Sequence, residues 1–193
     1  MNASNIALKQ IGVIHTEHVE PEKTPIQPIF AKTCVGHVEV FPDHVDGLQD
    51  LEHFSHIYLI YLLHKAKETR LLTKPFLQDK VRGVFATRAP CRPNPLGLSI
   101  VRLCKRDGNL LTFEGADMLD GSPLLDIKPY TKRFDHIQTE RDGWHDEVED
   151  AEADRRGVRN YRPQHKHDSL WEAVCRRGRA TFGHELARLN ASR

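Results

Sequence analysis

The stretch Arg88–Ser99 reads RAPCRPNPLGLS and lies between two predicted strands, residues 81–87 and 98–104. Its three prolines within six residues hold φ near about −65° and exclude a helix. The predicted loop presents Arg88, Arg92 and Asn94 in fixed directions, and such side chains suit a carboxylate, a phosphate or the polar edge of a nucleotide. The same composition is also typical of a rigid surface turn between strands.

A second proline-containing loop follows at residues 120–123, which read Asp-Gly-Ser-Pro, a turn signature. Charged and apolar residues alternate after it, in the sequence LLDIKPY of residues 124–130. Two rigid, charged loops in one small chain favour a binding site over two unrelated surface turns.

The segments around these loops predict a small antiparallel barrel, mainly β. Residues 11–16, 35–41 and 110–114 have the composition of short strands, and a tight hairpin is predicted at 107–109. Residues 56–63 are nearly all apolar, which predicts a strand buried on both faces. Residues 46–51 predict a short helical turn, and residues 65–80 a loop with at most one turn of helix.

Length and composition favour one globular domain with at most an appendage, because the chain has 193 residues, of which 39% are hydrophobic. The chain lacks the pattern of a signal peptide and any long apolar run, so a cytoplasmic protein without a membrane span is expected. A net charge of +1 predicts that any RNA contact is local. The four cysteines lack metal-binding or disulfide spacing, so free thiols and no metal site are expected.

The composition changes after Tyr130, and a boundary is predicted between residues 144 and 145. Residues 1–144 are the predicted barrel domain, and residues 145–193 a charged, partly helical extension. An acidic run over 146–154 precedes several arginines, a pattern typical of a solvated helix or a flexible linker. Ser169 and Glu172 form a capping-box signal for a further helix, and the arginines at 176, 177 and 179 are candidate RNA contacts.

Four motifs in the chain together resemble the TsaA-like family. They are DLEHFSHIYLIYLLH (50–64), GVFATR (83–88), RPNPLGLS (92–99) and LDGSPLLDIKPY (119–130), and the resemblance runs from about Ile11 to Tyr130. Characterised members of this family are tRNA methyltransferases that N6-methylate threonylcarbamoyladenosine beside the anticodon. The resemblance implies a single-sheet β-barrel, a homodimer, S-adenosylmethionine as cofactor and tRNA as partner.

The resemblance also implies which residues bind the cofactor. They are Pro25, Ile26, Gln27, His64, Lys65, Arg88, Leu98, Asp120, Gly121, Ser122 and Pro123. Ile26 stands where the family has an arginine within a Pro-Arg-Gln triplet, so one side-chain contact is in question, whereas a contact made by the backbone would remain. Without the resemblance, the preferred explanation of His64 is that it simply ends the preceding strand.

The acceptor side of the predicted reaction is assigned to four residues. A threonyl carboxylate calls for a forked cation, for which Arg92 is the first candidate and Lys128 the second. The acceptor nitrogen is amide-like, so a general base is considered, and Asp126 and Tyr130 are the nearby groups in the sequence. Two alternatives stay open: a methyltransferase acting on another acceptor, and a cofactor-binding sensor or RNA-binding module without turnover.

Overall fold

The body of the protein is a closed antiparallel barrel of six strands. The computed structural model describes residues 6–161. Its strands are β1 (Gly12–His15), β2 (Val35–Val40), β3 (His56–Leu62), β4 (Leu72–Thr73), β5 (Arg82–Gly83), β6 (Leu96–Asp107), β7 (Leu110–Glu114) and β8 (Ser122–Pro129). The barrel order is β1-β2-β7-β6-β3-β8, and β8 pairs back with β1. The predicted fold, a mainly β protein with a small single-sheet antiparallel barrel, is confirmed.

Helical structure in residues 6–161 is short and lies outside the barrel wall. There are two α-helices, α1 (Lys132–Asp135) and α2 (Asp150–Gly157). Short 3₁₀ segments span Pro21–Lys23, Pro28–Phe30, Pro42–Leu48, Leu51–His53, Val84–Ala86 and Gly143–Glu147. The helical turn predicted over 46–51 is therefore present, divided between the third and the fourth of these segments. No helix in this part of the chain is long and apolar enough to cross a membrane.

The core fills the barrel interior with alternate residues from each strand. In β3 the buried side chains are Ile57, Leu59 and Tyr61, and the residues between them are only half-buried. The prediction that this strand is buried on both faces is thus wrong, because a wall strand of a single-sheet barrel has one packed face. The apolar residues on its other face lie on the outside of the barrel.

Two local predictions in residues 65–87 are also wrong. Only Arg82 and Gly83 of the strand predicted at 81–87 form a strand. They pair with β4, which lies in the segment expected to be loop, in a separate two-stranded ribbon. A 3₁₀ turn follows at once because the side chain of Val84 is buried and its carbonyl oxygen accepts hydrogen bonds from the backbone N–H and the hydroxyl of Thr87.

Three long connections meet at one end of the barrel. They follow β1, β3 and β7 and comprise residues 16–34, 63–95 and 115–121. The antiparallel register places the starts of β2 and β8 at this same end, since His15 pairs with His37 and Ile14 with Ser122. The loops with the family motifs are therefore neighbours in space.

The segment after the barrel is helical over part of its length, as predicted, but it is more than a solvated helix. Gly157, the last residue of α2, packs against the ring of Phe30, and Tyr161 packs against the core. The predicted boundary at 144/145 remains a prediction. The helix predicted at Ser169 and the arginines at 176–179 lie outside the described residues.

Candidate functional site

The loops at one barrel end bring together most of the predicted cofactor residues. Pro25–Gln27 lie in the first loop, His64, Lys65 and Arg88 in the second, and Asp120–Pro123 where the third loop enters β8. The guanidinium of Arg88 donates a hydrogen bond to Oε1 of Gln27 and so links the first loop to the second. Pro25 is buried, Gln27 is half-buried and Arg88 is exposed.

Asp120 is attached firmly to the end of β1. Its Oδ1 accepts a hydrogen bond from the backbone N–H of Thr16 at 3.1 Å, and its own N–H donates to the carbonyl of His18 at 2.7 Å. His15 Nδ1 lies 3.5 Å from the same carboxylate oxygen. Gly121 has φ of 74°, a left-handed conformation that favours glycine at this turn. The carboxylate remains 44% exposed and can accept hydrogen bonds from a ligand.

His64 and Lys65 lie directly after β3 and are tied to neighbouring loops. His64 Nδ1 is 3.3 Å from the hydroxyl of Ser122, and Lys65 Nζ donates to the carbonyl of Val19 at 2.9 Å. Burial, together with the charge of Lys65, lowers the pKa of His64. A lowered pKa keeps the imidazole neutral near pH 7, so it can donate from one nitrogen and accept at the other.

A buried polar network that the sequence reasoning missed lies beside these loops. Ser99 Oγ donates to Asp117 Oδ1 at 2.7 Å, and the hydroxyl of Tyr61 lies 3.1 Å from Ser99 Oγ. Burial raises the pKa of Asp117 to about 7, although its bonds to Ser99 and the charge of Arg88 oppose the shift. The only signal in the sequence is a carboxylate within the otherwise apolar segment GADML, residues 115–119.

Close packing of the Tyr61 ring against Gly97 fixes one member of this network. A Cβ atom on Gly97 would lie 2.3–2.8 Å from three carbons of the Tyr61 ring, so only glycine fits here. Burial also raises the pKa of Tyr61, which keeps its hydroxyl protonated. Because Ser99 has a single proton and gives it to the ionised Asp117, Tyr61 is the donor to Ser99 in that state.

The remaining predicted residues do not all lie in the loop cluster. Arg92 is in the same loop as Arg88 and is half-buried. Leu98 is 55% exposed on the outer face of β6. Asp126 and Lys128 form an ion pair of 2.8 Å on the outer face of β8. Tyr130 is eight residues beyond Ser122, which at about 3.3 Å per residue places it some 26 Å away along the strand.

A shallow cavity of about 320 Å³ lies at the other end of the barrel. It is lined by Ile11, Val40, Asp43, His44, Gly47, Leu48, Asp126 and Ile127. Asp126 is the only predicted site residue among them, and the cavity is formed mainly by the connection after β2 rather than by the three converging loops. It therefore does not coincide with the candidate site.

Among residues 6–161, one cluster brings metal-ligand types together: Glu17, His18 and Cys34 each place a ligand atom within 4.8 Å of the others. Their polar atoms already have partners in the protein. His18 Nε2 is 2.9 Å from the carbonyl of Ala116, and the hydroxyl of Tyr161 bonds to Glu17. Burial raises the pKa of Cys34 to about 11, so the thiol is protonated. A hydrogen-bonded cluster accounts for this geometry.

Comparison with known proteins agrees with the fold and the loop motifs. Residues 13–136 match the family model of the tRNA-methyltransferase O N-terminal domain. A probable S-adenosyl-L-methionine-binding protein of Pyrococcus abyssi is 52% identical over 139 residues, covering 72% of this chain and 76% of the relative. The tRNA (adenine(37)-N6)-methyltransferase of Escherichia coli is 36% identical over 137 residues, covering 66% of this chain and 58% of the relative.

A crystal structure of TrmO from Pseudomonas aeruginosa has the same fold, with a TM-score of 0.60 and 37% sequence identity. The alignment covers 72% of this chain and 62% of that one. The chain thus matches roughly three fifths of the length of the bacterial methyltransferases and a larger share of the archaeal relative. By the extent of these matches, the chain belongs to the tRNA-methyltransferase O N-terminal domain family.

Proposed function

We propose that the protein is an S-adenosylmethionine-dependent methyltransferase that methylates tRNA. The observation that supports this most is the convergence of the three loops with family motifs at one barrel end, where Arg88 and Gln27 are hydrogen-bonded. Relatives with the same domain are named as S-adenosylmethionine-binding proteins and as tRNA methyltransferases.

The proposed cofactor site comprises the eleven residues assigned to it by family resemblance. Asp120 offers a half-exposed carboxylate for the ribose hydroxyls or the sulfonium charge, and Arg88 and Gln27 offer donors for the carboxylate end. Ile26 contributes through its backbone carbonyl oxygen, because its N–H donates to Gly157, and the arginine of the family triplet is therefore not required. Bound S-adenosylmethionine supplies an activated methyl group. The protein's own task is to place the acceptor nitrogen about 3 Å from that methyl and to exclude water.

The proposed acceptor is N6 of threonylcarbamoyladenosine beside the anticodon. Arg92, half-buried in the same loop as Arg88, binds the threonyl carboxylate, with Lys128 as the second candidate. Asp126 or Tyr130 accepts the proton of the acceptor nitrogen. Both residues are distant from the loop cluster of their own chain, so this assignment requires a second subunit.

We further propose that a second subunit packs against the outer face of β6, β3 and β8. Leu98 pairs with Ile60, and Ile60 with Asp126, so these three residues form one row across the outer wall. Leu98 and Ile100 are 55% and 41% exposed, an apolar surface that a partner would cover. In a two-fold dimer, the outer face of each barrel packs against the other subunit. The predicted site residues on this face, Leu98, Asp126 and Lys128, would then lie near the loops of the partner subunit.

One observation favours a different acceptor. Ile26 replaces the arginine of the family triplet, which is consistent with a methyltransferase of the same cofactor and another substrate. A non-catalytic cofactor-binding sensor or RNA-binding module would share the same loops. A tRNA substrate implies a cytoplasmic protein.

Calorimetric titration of the full chain with S-adenosylmethionine tests the cofactor assignment first. Micromolar binding is the expected result, and absence of binding would overturn the methyltransferase function. Nucleoside analysis of tRNA from a deletion strain then tests the acceptor. Loss of N6-methylated threonylcarbamoyladenosine is expected, whereas unchanged tRNA together with intact cofactor binding would favour another acceptor or a sensor.

A further inference from the structure

The last residue of α2 contacts the backbone of the proposed cofactor loop directly. The carbonyl oxygen of Gly157 accepts a hydrogen bond of 3.0 Å from the backbone N–H of Ile26. Ile26 is the central residue of the Pro25–Gln27 triplet, and Gly157 lies beyond residues 13–136, which match the family domain. A segment outside that domain therefore contacts the site.

Close packing at the same point leaves no room for a side chain on Gly157. A Cβ atom there would lie 2.5–2.6 Å from three ring carbons of Phe30, only four residues after Ile26 in the chain. Such contacts are far shorter than van der Waals distances, so a larger residue would have to displace either the helix or the loop. Glycine at this position thus permits the hydrogen bond to Ile26.

The same segment is attached to the loop that follows β3. The indole N–H of Trp144 donates to the carbonyl of Ala86 at 2.7 Å, and Glu147 forms ion pairs with Lys80 at 2.8 Å and Arg82 at 3.0 Å. Further along, Arg156 pairs with Asp79 at 2.8 Å. Single exposed ion pairs contribute little, but several along one short segment restrict its position.

The end of the described segment reaches the first loop again. The ring of Tyr161 packs edge-on against His18, with 5.0 Å between ring centroids, and its hydroxyl bonds to Glu17. Residues 143–161 therefore bridge the loop after β1 and the loop after β3. Arg88 and Gln27 join these same two loops inside the candidate site.

We propose that residues 143–161 act as a strap that holds the Pro25–Gln27 loop in its cofactor-binding shape, with Gly157 as a positioning residue for Ile26. This inference rests on the proposed cofactor site. A loop ordered before the ligand arrives loses less conformational entropy on binding, so the strap raises affinity without touching the cofactor. It also explains how the loop keeps its shape with isoleucine at the centre of the triplet, since the backbone rather than the side chain is held.

Gly157→Ala in the full-length protein tests the strap, with Gly47→Ala as the matched control. Gly47 lies near the end of the 3₁₀ segment Pro42–Leu48, as Gly157 lies at the end of α2, but a Cβ atom there would meet nothing within 4 Å. We expect amide exchange at Ile26, followed by NMR, to accelerate by about tenfold or more in Gly157→Ala. Affinity for S-adenosylmethionine should fall by about fivefold or more, as expected for a less ordered loop. Both values should be unchanged in Gly47→Ala.

A second substitution checks the steric cause. Adding Phe30→Leu to Gly157→Ala makes space for the new methyl group and should restore most of the Ile26 protection. If Gly157→Ala does not fold, the double variant Glu147→Gln, Arg156→Gln replaces it. Glu147 is exposed and Arg156 is half-buried, and both substitutions remove ion pairs of the segment without adding volume. Faster exchange at Ile26 is expected there too.

Two results separate failure of the strap from failure of the proposed function. If a folded strap variant shows the same amide exchange at Ile26 and the same affinity for S-adenosylmethionine as the wild type, the strap proposal is wrong, whatever reaction the protein catalyses. No S-adenosylmethionine binding by the wild type would overturn the cofactor site and, with it, the positioning role, even where Ile26 is protected.

Discussion

The guanidinium of Arg88 hydrogen-bonds Oε1 of Gln27 across 61 residues of sequence and joins two of the three loops at one end of the barrel. Pro28 directly follows Gln27, Pro90 lies two residues after Arg88, and neither Gln27 nor Arg88 is in a strand or helix. Their contact exists because β1 and β3 end on the same side of the closed sheet. The candidate site is therefore a product of barrel closure.

Arg88→Ala should weaken binding of S-adenosylmethionine by about tenfold to a hundredfold, because a charged hydrogen-bond donor in a ligand site contributes roughly 1.5–3 kcal/mol. Titration calorimetry measures this effect. Lys105→Ala is the control, since Lys105 pairs with Asp107 at the β6–β7 hairpin, at the opposite end of the barrel. Equal affinity of the wild type and Arg88→Ala for S-adenosylmethionine would show that Arg88 is not part of the cofactor site.

Arg92→Ala should lower methylation of tRNA while leaving cofactor affinity nearly unchanged, because Arg92 is assigned to the acceptor rather than to the cofactor. Single-turnover methylation assays and calorimetry on the same preparation separate the two effects. A parallel loss of methylation and of cofactor affinity would assign Arg92 to the cofactor site instead.

Gly97→Ala should destabilise the fold by about 1–3 kcal/mol, the usual cost of forcing extra volume into a packed core. The new methyl group would lie within 2.8 Å of carbons in the Tyr61 ring. Urea unfolding measures the change, with Gly83→Ala as control because a Cβ atom there meets nothing within 4 Å. Equal destabilisation by both substitutions would show that packing on Tyr61 is not the cause.

Asp117 should make stability depend on pH between about 4 and 7. Its pKa is about 7 in the folded chain, whereas an ordinary aspartate has a pKa of 3.8, so unfolding releases a proton in this window and rising pH favours the unfolded state. The resulting loss in the free energy of unfolding is at most about 4 kcal/mol, and it does not increase further above pH 7. Asp117→Asn should remove this dependence of stability on pH.

Urea unfolding of both proteins at pH 5 and pH 8 measures the difference. Wild type should lose stability relative to Asp117→Asn between these values, because only wild type has the titrating carboxyl. Parallel changes in the two proteins would show that Asp117 titrates normally.

Ile100→Asp should convert a dimer into monomers, because it places a charge in the middle of the exposed apolar wall. Sedimentation velocity distinguishes the two states. Leu110→Asp is the matched control, since Leu110 is 38% exposed, close to the 41% of Ile100, but lies at the β6–β7 hairpin. A monomeric wild type, or a dimer that survives Ile100→Asp, would contradict the proposed interface.

Strand positions followed from local patterns wherever a strand packs one face on the core. The alternation in 35–41 and the hairpin signal at 107–109 correctly predicted β2, which ends at Val40, and the turn between β6 and β7. The prediction failed at 81–87, where Val84 turns inward and the extended pair Arg82–Gly83 is formed only by pairing with β4. Pairing with a distant segment leaves no local signature.

By itself, the sequence determined the barrel and the motif-bearing loops, because strand alternation and proline-restricted turns depend on adjacent residues. Only the tertiary structure decided which side chains share an environment. It placed Asp117 beside Ser99 in the interior, set Leu98 and Asp126 on the outer wall, and joined Gly157 to Ile26. These relations depend on strand register and on the exclusion of water, which arise only when the sheet closes.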